Sequence, residues 1–285
     1  MSLQQELATV IADGQSSGRL WLYSNYHCNL ACRYCLTSSS PSSPVRELLP
    51  KQMLEAVQQA KILGFQSVGI TGGEPFLLSS MPALLVEIAK ILPVIVLSNG
   101  TLLGRPKIRE QLLHSRGLPL QIQVSVDDPD PTVHDANRGV GSFARAIAGI
   151  PWLIEQGISV RISSTRHFET LQEQRVHEQN MQHWMSELGM NSDEHVGRTM
   201  VQRGQAVEAG LGVSVETDVL PADLTLTRMG AFYSPFAPTF IGDRLQTDML
   251  LSRTILPLQI PLRQFLNVIG QAQPSDKSAD RSGFV

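Results

Sequence analysis

The sequence predicts an α/β protein: an open, partial (βα)6 TIM-like barrel of parallel strands with a small C-terminal extension. Three observations carry that expectation. Short apolar segments of strand character alternate with segments whose apolar residues recur at helical spacing, the pattern of parallel βα units with right-handed crossovers. The chain has 285 residues, within the range of one barrel-like domain. The residues able to carry chemistry fall at or just beyond the ends of the strand-like segments, where barrels of this kind keep their sites.

Taken in order, residues 20–26 read as a first strand, and a loop holding every cysteine of the chain follows. Residues 38–44, Ser-Ser-Ser-Pro-Ser-Ser-Pro, are too rich in serine and proline for regular structure and form a loop or flap beside it. Over 50–63, Met53, Leu54, Val57 and Ala60 recur at helical spacing, and Pro50 suits the first helical position. The alternation continues with a strand at 66–71, a helix at 80–91, a strand at 93–98 and a helix at 106–115. Strands at 120–126 and 158–163 flank a helix at 142–156. A long helix at 169–188 stops at Gly189, a suitable C-cap.

After residue 200 the alternation fades. Residues 224–233 read as a hairpin turning near Met229-Gly230, although Met-Gly is a poor turn pair. The expected organisation is a barrel over 1–200, an extension over 201–270 whose hairpin and helix cover it, and a flexible polar tail over 271–285.

Composition bounds the classes. A hydrophobic fraction of 42% and a mean hydropathy of −0.02 suit a soluble chain with a sizeable core. No apolar run approaches the ~20 residues that span a bilayer. The first residues lack a basic region followed by an apolar stretch, so no signal peptide is evident. The expectation is a cytoplasmic protein without a membrane partner. A formal charge of −3 leaves no electrostatic footprint for nucleic acid.

The three cysteines, Cys28, Cys32 and Cys35, lie within eight residues. An odd count leaves one thiol over in any disulfide framework, and a chain this long does not need such staples. A structural zinc takes four protein ligands. His27 is adjacent, but consecutive side chains of an extended segment point to opposite faces, so it joins Cys28 on one ion poorly. Three thiolates suit a four-iron, four-sulfide cubane, one thiolate per iron with the fourth iron open. On spacing alone, zinc and a redox role stay as alternatives.

The C-x3-C-x2-C spacing, with Tyr34 directly before the last cysteine, resembles the signature of radical S-adenosylmethionine (radical SAM) enzymes. The resemblance implies a [4Fe-4S] cluster whose open iron binds the amino and carboxylate groups of SAM. It also implies reductive cleavage of SAM to methionine and a 5'-deoxyadenosyl radical that abstracts hydrogen from a substrate. Tyr34 would lie against the adenine; ordinary packing of a loop aromatic is the alternative. Downstream, residues 65–70 read as a buried strand running into Thr71-Gly72-Gly73-Glu74-Pro75. Paired glycines let a backbone approach a ligand closely. This stretch is similar to the family's GGE motif, implying contacts from Gly72, Gly73 and Glu74, backbone and side chain, to the amino group of SAM.

Three further stretches agree. Ser98 and Asn99 end an apolar strand like the one that reaches the ribose and sulfonium in the family. Ser125-Val126-Asp127, followed by His134-Asp135-Ala136-Asn137-Arg138-Gly139, resembles the S-x-D … H-D-x-x-R-G pattern of the subgroup with sulfatase-maturing and peptide-modifying members. There the resemblance implies SAM binding by Ser125 and Arg138, the arginine gripping the carboxylate as a guanidinium can, bidentately. A surface arginine closing a loop is the alternative. Asp128 departs from the pattern, which commonly has glycine there. Related enzymes carry a cysteine-rich C-terminal extension with extra clusters; here no cysteine follows Cys35, so thiolate-bound auxiliary clusters are excluded by count.

His167, His177, His183 and His195, with Glu169, Glu173, Glu187 and Asp193, read as solvated polar groups. Arg198 and Arg203, after a sixth strand, could reach the barrel mouth and bind a carboxylate or phosphate; salt-bridged rim arginines are the alternative. Val196 could line the adenine pocket. The implied substrate is a peptide or protein side chain or a small metabolite, contacted by residues 200–262. The implied electron source is a low-potential, flavodoxin- or ferredoxin-like donor. The rival expectation is a non-catalytic iron–sulfur or zinc-binding scaffold.

Overall fold

A computed structural model describes residues 1–271; beyond Gln271, the tail expected at 271–285 lies outside the described residues. The chain opens with α1 (Leu3–Ala12), which the sequence analysis did not anticipate. Its start is nonetheless encoded locally. The Ser2 hydroxyl accepts from the Gln5 amide, and the Gln5 side chain accepts in return from the Ser2 amide, a reciprocal capping box.

The barrel follows as β1 (Arg19–Tyr23), α2 (Pro50–Leu63), β2 (Ser67–Thr71), α3 (Met81–Ala89), β3 (Val94–Ser98), α4 (Pro106–Leu112) and β4 (Leu120–Ser125). Next come α5 (Pro131–Arg138), α6 (Ser142–Ile147), α7 (Ile150–Glu155), β5 (Ser159–Arg166), α8 (Leu171–Glu187) and β6 (His195–Thr199). Strands β1 to β6 pair in sequence order, every pair parallel, and β6 is left as a sheet edge. This is the partial (βα)6 TIM-like barrel, open between its first and last strands.

The remaining elements are α9 (Gln205–Glu208), β7 (Thr225–Thr227), β8 (Gly230–Phe232), β9 (Phe240–Ile241), β10 (Arg244–Leu245), β11 (Leu250–Ser252) and α10 (Gln259–Gln271). Strand β7 runs parallel to β1 on its outer edge, β8 and β11 continue the sheet antiparallel, and β9 pairs separately with β10. The hairpin turn falls on Arg228 and Met229, where the Thr227 hydroxyl caps the Met229 amide at 2.9 Å.

Strand periodicity sorts the two faces. Val94, Val96, Leu120, Ile122, Val124, Val160 and Ile162 are buried in the main core. Trp21, Tyr23, Leu97, Ser125 and Arg198 belong to the alternate rows and line the barrel's cavity. Several boundaries differ from expectation. The first strand stops at Tyr23, and the fifth extends to Arg166. The helix expected at 142–156 is two helices: Pro151, in the first turn of the second, has no N–H to continue the ladder, and the Gly149 between them packs so closely on Leu103 that a Cβ would collide. Residues 131–138, read only as a motif, form helix α5, capped by the Asp130 carboxylate on the Thr132 amide at 2.8 Å.

Candidate active site

Ten of the eleven residues expected at the site line one cavity: Cys28, Cys32, Cys35, Tyr34, Gly72, Gly73, Ser98, Asn99, Ser125 and Arg138. They come from the loop after β1 and from the C-terminal ends of β2, β3 and β4, with Arg138 arriving on the last turn of α5.

The cysteine loop is clamped from two sides. Asn25 accepts from the Gly73 amide through both its carbonyl (3.0 Å) and its Oδ1 (3.1 Å), while its Nδ2 donates to the Glu74 carbonyl at 3.0 Å. The Glu74 amide donates to the His27 carbonyl at 3.0 Å. A Cβ on Gly72 would collide with the Asn25 carbonyl, and one on Gly73 with that of His27. The two glycines are therefore required by the close approach of the cysteine loop. Opposite, Gly204, at φ +59°, lies against the carbonyls of Cys35 and Leu36, and the Gln205 amide donates to the Cys35 carbonyl at 2.9 Å. Gly204 was missed in the sequence; no motif marks it.

The sulfurs receive donors of their own. Cys28 Sγ accepts from the Leu30 amide (3.4 Å) and Asn99 Nδ2 (3.7 Å), and Cys35 Sγ from the Ser39 amide (3.3 Å). Such donors favour the thiolate. Burial opposes them: it pushes the Cys28 thiol up to about 12, with Glu74 adding to the rise. The Cys32 thiol is likewise pushed up to about 12 by burial, against the pull of Arg138. A bound metal supplies the positive charge that removes those protons. Among the described residues no three His, Cys, Asp or Glu side chains converge on the spacing of a single metal ion. A cubane takes one thiolate per iron and needs no such convergence, so the three thiols around one cavity fit it better than zinc.

Glu74 sits apart from the other ten. Its side chain is fully buried and does not line the cavity. The carboxylate turns behind the strand ends, accepting from the Phe76 amide (3.0 Å), the Ser98 hydroxyl (2.9 Å) and the Asn99 amide (2.8 Å). Burial raises its pKa to about 7 in spite of those donors. Its carboxylate thereby braces Ser98 and Asn99.

Tyr34 and Arg138 meet on a residue to which the sequence assigned no role. Asp127, fully buried, accepts from Tyr34 Oη at 2.6 Å and from Arg138 Nε and Nη2 at 2.8 and 2.9 Å. The Thr165 amide adds a fourth donor at 3.2 Å. The Arg138 guanidinium also stands 5.4 Å from the centre of the Tyr34 ring, a cation–π distance. Arg138 is thus neither a surface group nor wholly free: Asp127 occupies one edge, and Nη1 makes no hydrogen bond among the described residues. The signal was present, since Asp127 is the last residue of Ser-Val-Asp.

Other expectations sort cleanly. His177 is buried, not solvated: Nδ1 meets the Asp128 carboxylate at 3.2 Å and Nε2 the Ser164 hydroxyl at 3.3 Å. His195 reaches the same hydroxyl at 2.9 Å from β6. His183, Glu169, Glu173, Glu187 and Asp193 are exposed. Arg203 grips Asp248 with two nitrogens, at 2.9 and 3.0 Å. Arg198 lines the cavity, and Val196 is buried beside it on β6 without lining it.

A parallel barrel open at its last strand, with three cysteines, a Gly-Gly turn and a buried Asp–Arg pair around one cavity, defines a radical SAM type of protein. Residues 22–173 match the model of the Radical SAM superfamily, more than half of the 285 residues, and the chain belongs to that superfamily. Membership brings a [4Fe-4S] cluster and SAM as its cofactors. Among curated relatives, the AdoMet-dependent heme synthase of Methanosarcina barkeri is 32% identical over 152 residues, 51% of this chain and 42% of that protein. The mycofactocin maturase MftC of Mycobacterium ulcerans is 32% identical over 146 residues, 50% of this chain and 38% of that one. The chain thus spans less than half the length of these relatives. Of solved structures, Streptococcus suis SuiB bound to S-adenosylmethionine aligns over 99% of this chain and 75% of its own, with a TM-score of 0.63 at 14% identity, a likeness of fold. Among the described residues no helix is long and apolar enough to cross a membrane.

Proposed function

We propose that this chain is a radical SAM enzyme that holds one [4Fe-4S] cluster on Cys28, Cys32 and Cys35, cleaves SAM reductively and abstracts hydrogen from a peptide side chain. The carrying observation is that three thiols, the Gly72-Gly73 backbone, Ser125 and Arg138 line a single cavity at the strand ends. When bound, cluster and SAM supply the one-electron chemistry that activates an inert C–H bond. The protein's part is to bind and orient. The Gly72-Gly73 backbone and Arg138 Nη1 offer groups for the amino and carboxylate ends of SAM, while Ser98, Asn99 and Ser125 offer polar groups to the rest. Tyr34, fixed by Asp127, presents its ring as an adenine support. A low-potential flavodoxin- or ferredoxin-like donor is the proposed electron source.

The Ser125–Arg138 pattern and relatives such as MftC and the sporulation killing factor maturation protein SkfB of Bacillus subtilis favour a peptide substrate. The heme synthase and GTP 3',8-cyclase relatives favour a small metabolite as the second reading. Anaerobic reconstitution with iron and sulfide, reduction and addition of SAM test the chemistry. The expected outcome is an electron paramagnetic resonance signal that shifts on SAM addition, with release of 5'-deoxyadenosine. Alanine at Cys28, Cys32 or Cys35 should abolish cluster binding. No shift and no cleavage by the wild type would leave a non-catalytic scaffold.

A further inference from the structure

Part of the cavity wall is built by β1, β6 and the C-terminal extension: Trp21, Tyr23, Arg198, Pro221, Pro235 and Phe236. Two N–H donors there have nothing to bond. Arg198 Nε and Trp21 Nε1 are both shut off from solvent, and neither has a hydrogen-bond partner among the described residues. A buried donor without an acceptor is costly, and a buried cation without a counter-charge more so.

The surroundings deepen the deficit. Arg198 feels two more interior guanidiniums, Arg161 and Arg19, on the same side of the sheet. Burial, then these like charges, lower its pKa to about 10, against an opposing effect of Tyr23, so it remains a cation at neutral pH. The carboxylate on the cavity wall, Asp223, is engaged elsewhere. It accepts from the Ser16 and Ser17 hydroxyls, both at 2.8 Å, and the Ser17 amide at 3.0 Å. Arg19 is tied to Ser67 Oγ at 3.3 Å and lies 5.4 Å over the Trp21 ring. Tyr23 donates to the Pro235 carbonyl. Arg203, the other arginine of this region, already has Asp248. Among the described residues Arg198 thus has no carboxylate partner, and Trp21, on the same cavity, has the same need.

We propose that Arg198 and Trp21 form a carboxylate-binding subsite in the barrel interior that seats an acidic group of the substrate. The substrate role rests on the radical SAM reading; the subsite itself does not. The anion accepts from Arg198 Nε and Trp21 Nε1, which anchors the substrate in the cavity. An acidic side chain, a chain terminus or a small organic acid all present that group.

The test uses the anaerobically reconstituted protein with SAM, titrated calorimetrically with succinate, glutarate and inorganic phosphate. Saturable binding of a dicarboxylate, tighter than phosphate, is expected in the wild type. Arg198→Met should weaken it about tenfold or more, and Arg198→Lys should recover part of the loss. Trp21→Phe, which removes the indole N–H together with the five-membered ring and keeps an aromatic there, should weaken it several-fold and serves if Arg198→Met does not fold. SAM affinity of each variant is measured in parallel. No saturable binding by the wild type, equal binding by the variants, or a preference for phosphate would overturn the carboxylate subsite. A parallel collapse of SAM affinity in Arg198→Met would also overturn it, by giving Arg198 to the carboxylate of SAM. None of these outcomes depends on 5'-deoxyadenosine release, so the subsite and the catalytic assignment fail separately.

Discussion

Asp127 holds Tyr34, Arg138 and the Thr165 amide on one carboxylate in the barrel wall. Removing one partner of a buried ion pair leaves the other uncompensated, which costs ~3–5 kcal/mol. Asp127→Asn should therefore lower the unfolding free energy from urea titration by that order and weaken SAM binding, because the orientation of Arg138 is lost. Retained stability and affinity would show that Asp127 does not position it. His134 makes a second residue-scale prediction. Its Nδ1 accepts from the Asp127 amide at 3.2 Å, and burial, with help from Arg138, lowers its pKa to about 4. Between pH 6.5 and 4 the unfolded chain binds the proton and the folded chain does not, so stability falls as pH falls through that window. The full effect is about 3 kcal/mol at ~1.4 kcal/mol per pKa unit. His134→Asn, which keeps an acceptor at Oδ1, should flatten the fall of the melting temperature between pH 6.5 and 4. Glu74 works in the other sense: with its pKa raised to about 7, its contribution declines as pH rises from 4.5 to 7.

At the scale of elements, the loops after β1 and β6 are held together by one glycine. Gly204 adopts a left-handed φ of +59° and presses on the Cys35 and Leu36 carbonyls. Gly204→Ala should shift the cysteine loop and reduce iron and sulfide content after reconstitution, with the far-ultraviolet circular dichroism spectrum unchanged; full cluster content would remove Gly204 from the site. Strands β2, β3 and β4 were legible as apolar runs, and α2 as a helical stripe behind Pro50. Helix α5 was not. Its sequence, Pro-Thr-Val-His-Asp-Ala-Asn-Arg, has no apolar stripe, and what it buries is His134 and Arg138, two polar side chains satisfied by Asp127. Helix α1 carried a readable capping box that hydrophobic periodicity alone does not weigh.

For the whole molecule, α10 packs against α1 and β11, and its Phe265 ring lies 5.6 Å from that of Tyr233. It buries Leu262, Phe265, Leu266 and Ile269 in the main core. At about 1.5–3 kcal/mol per fully buried side chain these four carry roughly 6–12 kcal/mol, against ~5–15 kcal/mol of stability for a typical domain. Deleting residues from 259 onward should abolish the cooperative thermal transition and expose dye-binding apolar surface. A sharp transition in the truncated chain would show that the barrel stands without its last helix.

What the sequence determined by itself is the chemistry and the architecture that presents it. Three cysteines in one short loop, a Gly-Gly turn after a strand and an alternating βα rhythm are local patterns, and local patterns are written in neighbouring residues. What only the tertiary structure decided is which side chains face the ligand and which support them. Glu74 turned behind Ser98 and Asn99, Asp127 became the hub for Tyr34 and Arg138, His177 went inside, and Arg198 reached the cavity with its Nε unpartnered among the described residues. Each of those outcomes depends on residues far apart in the chain meeting across packed elements. A carboxylate or guanidinium settles where burial and hydrogen bonding balance, and that balance exists only once the barrel has closed around it.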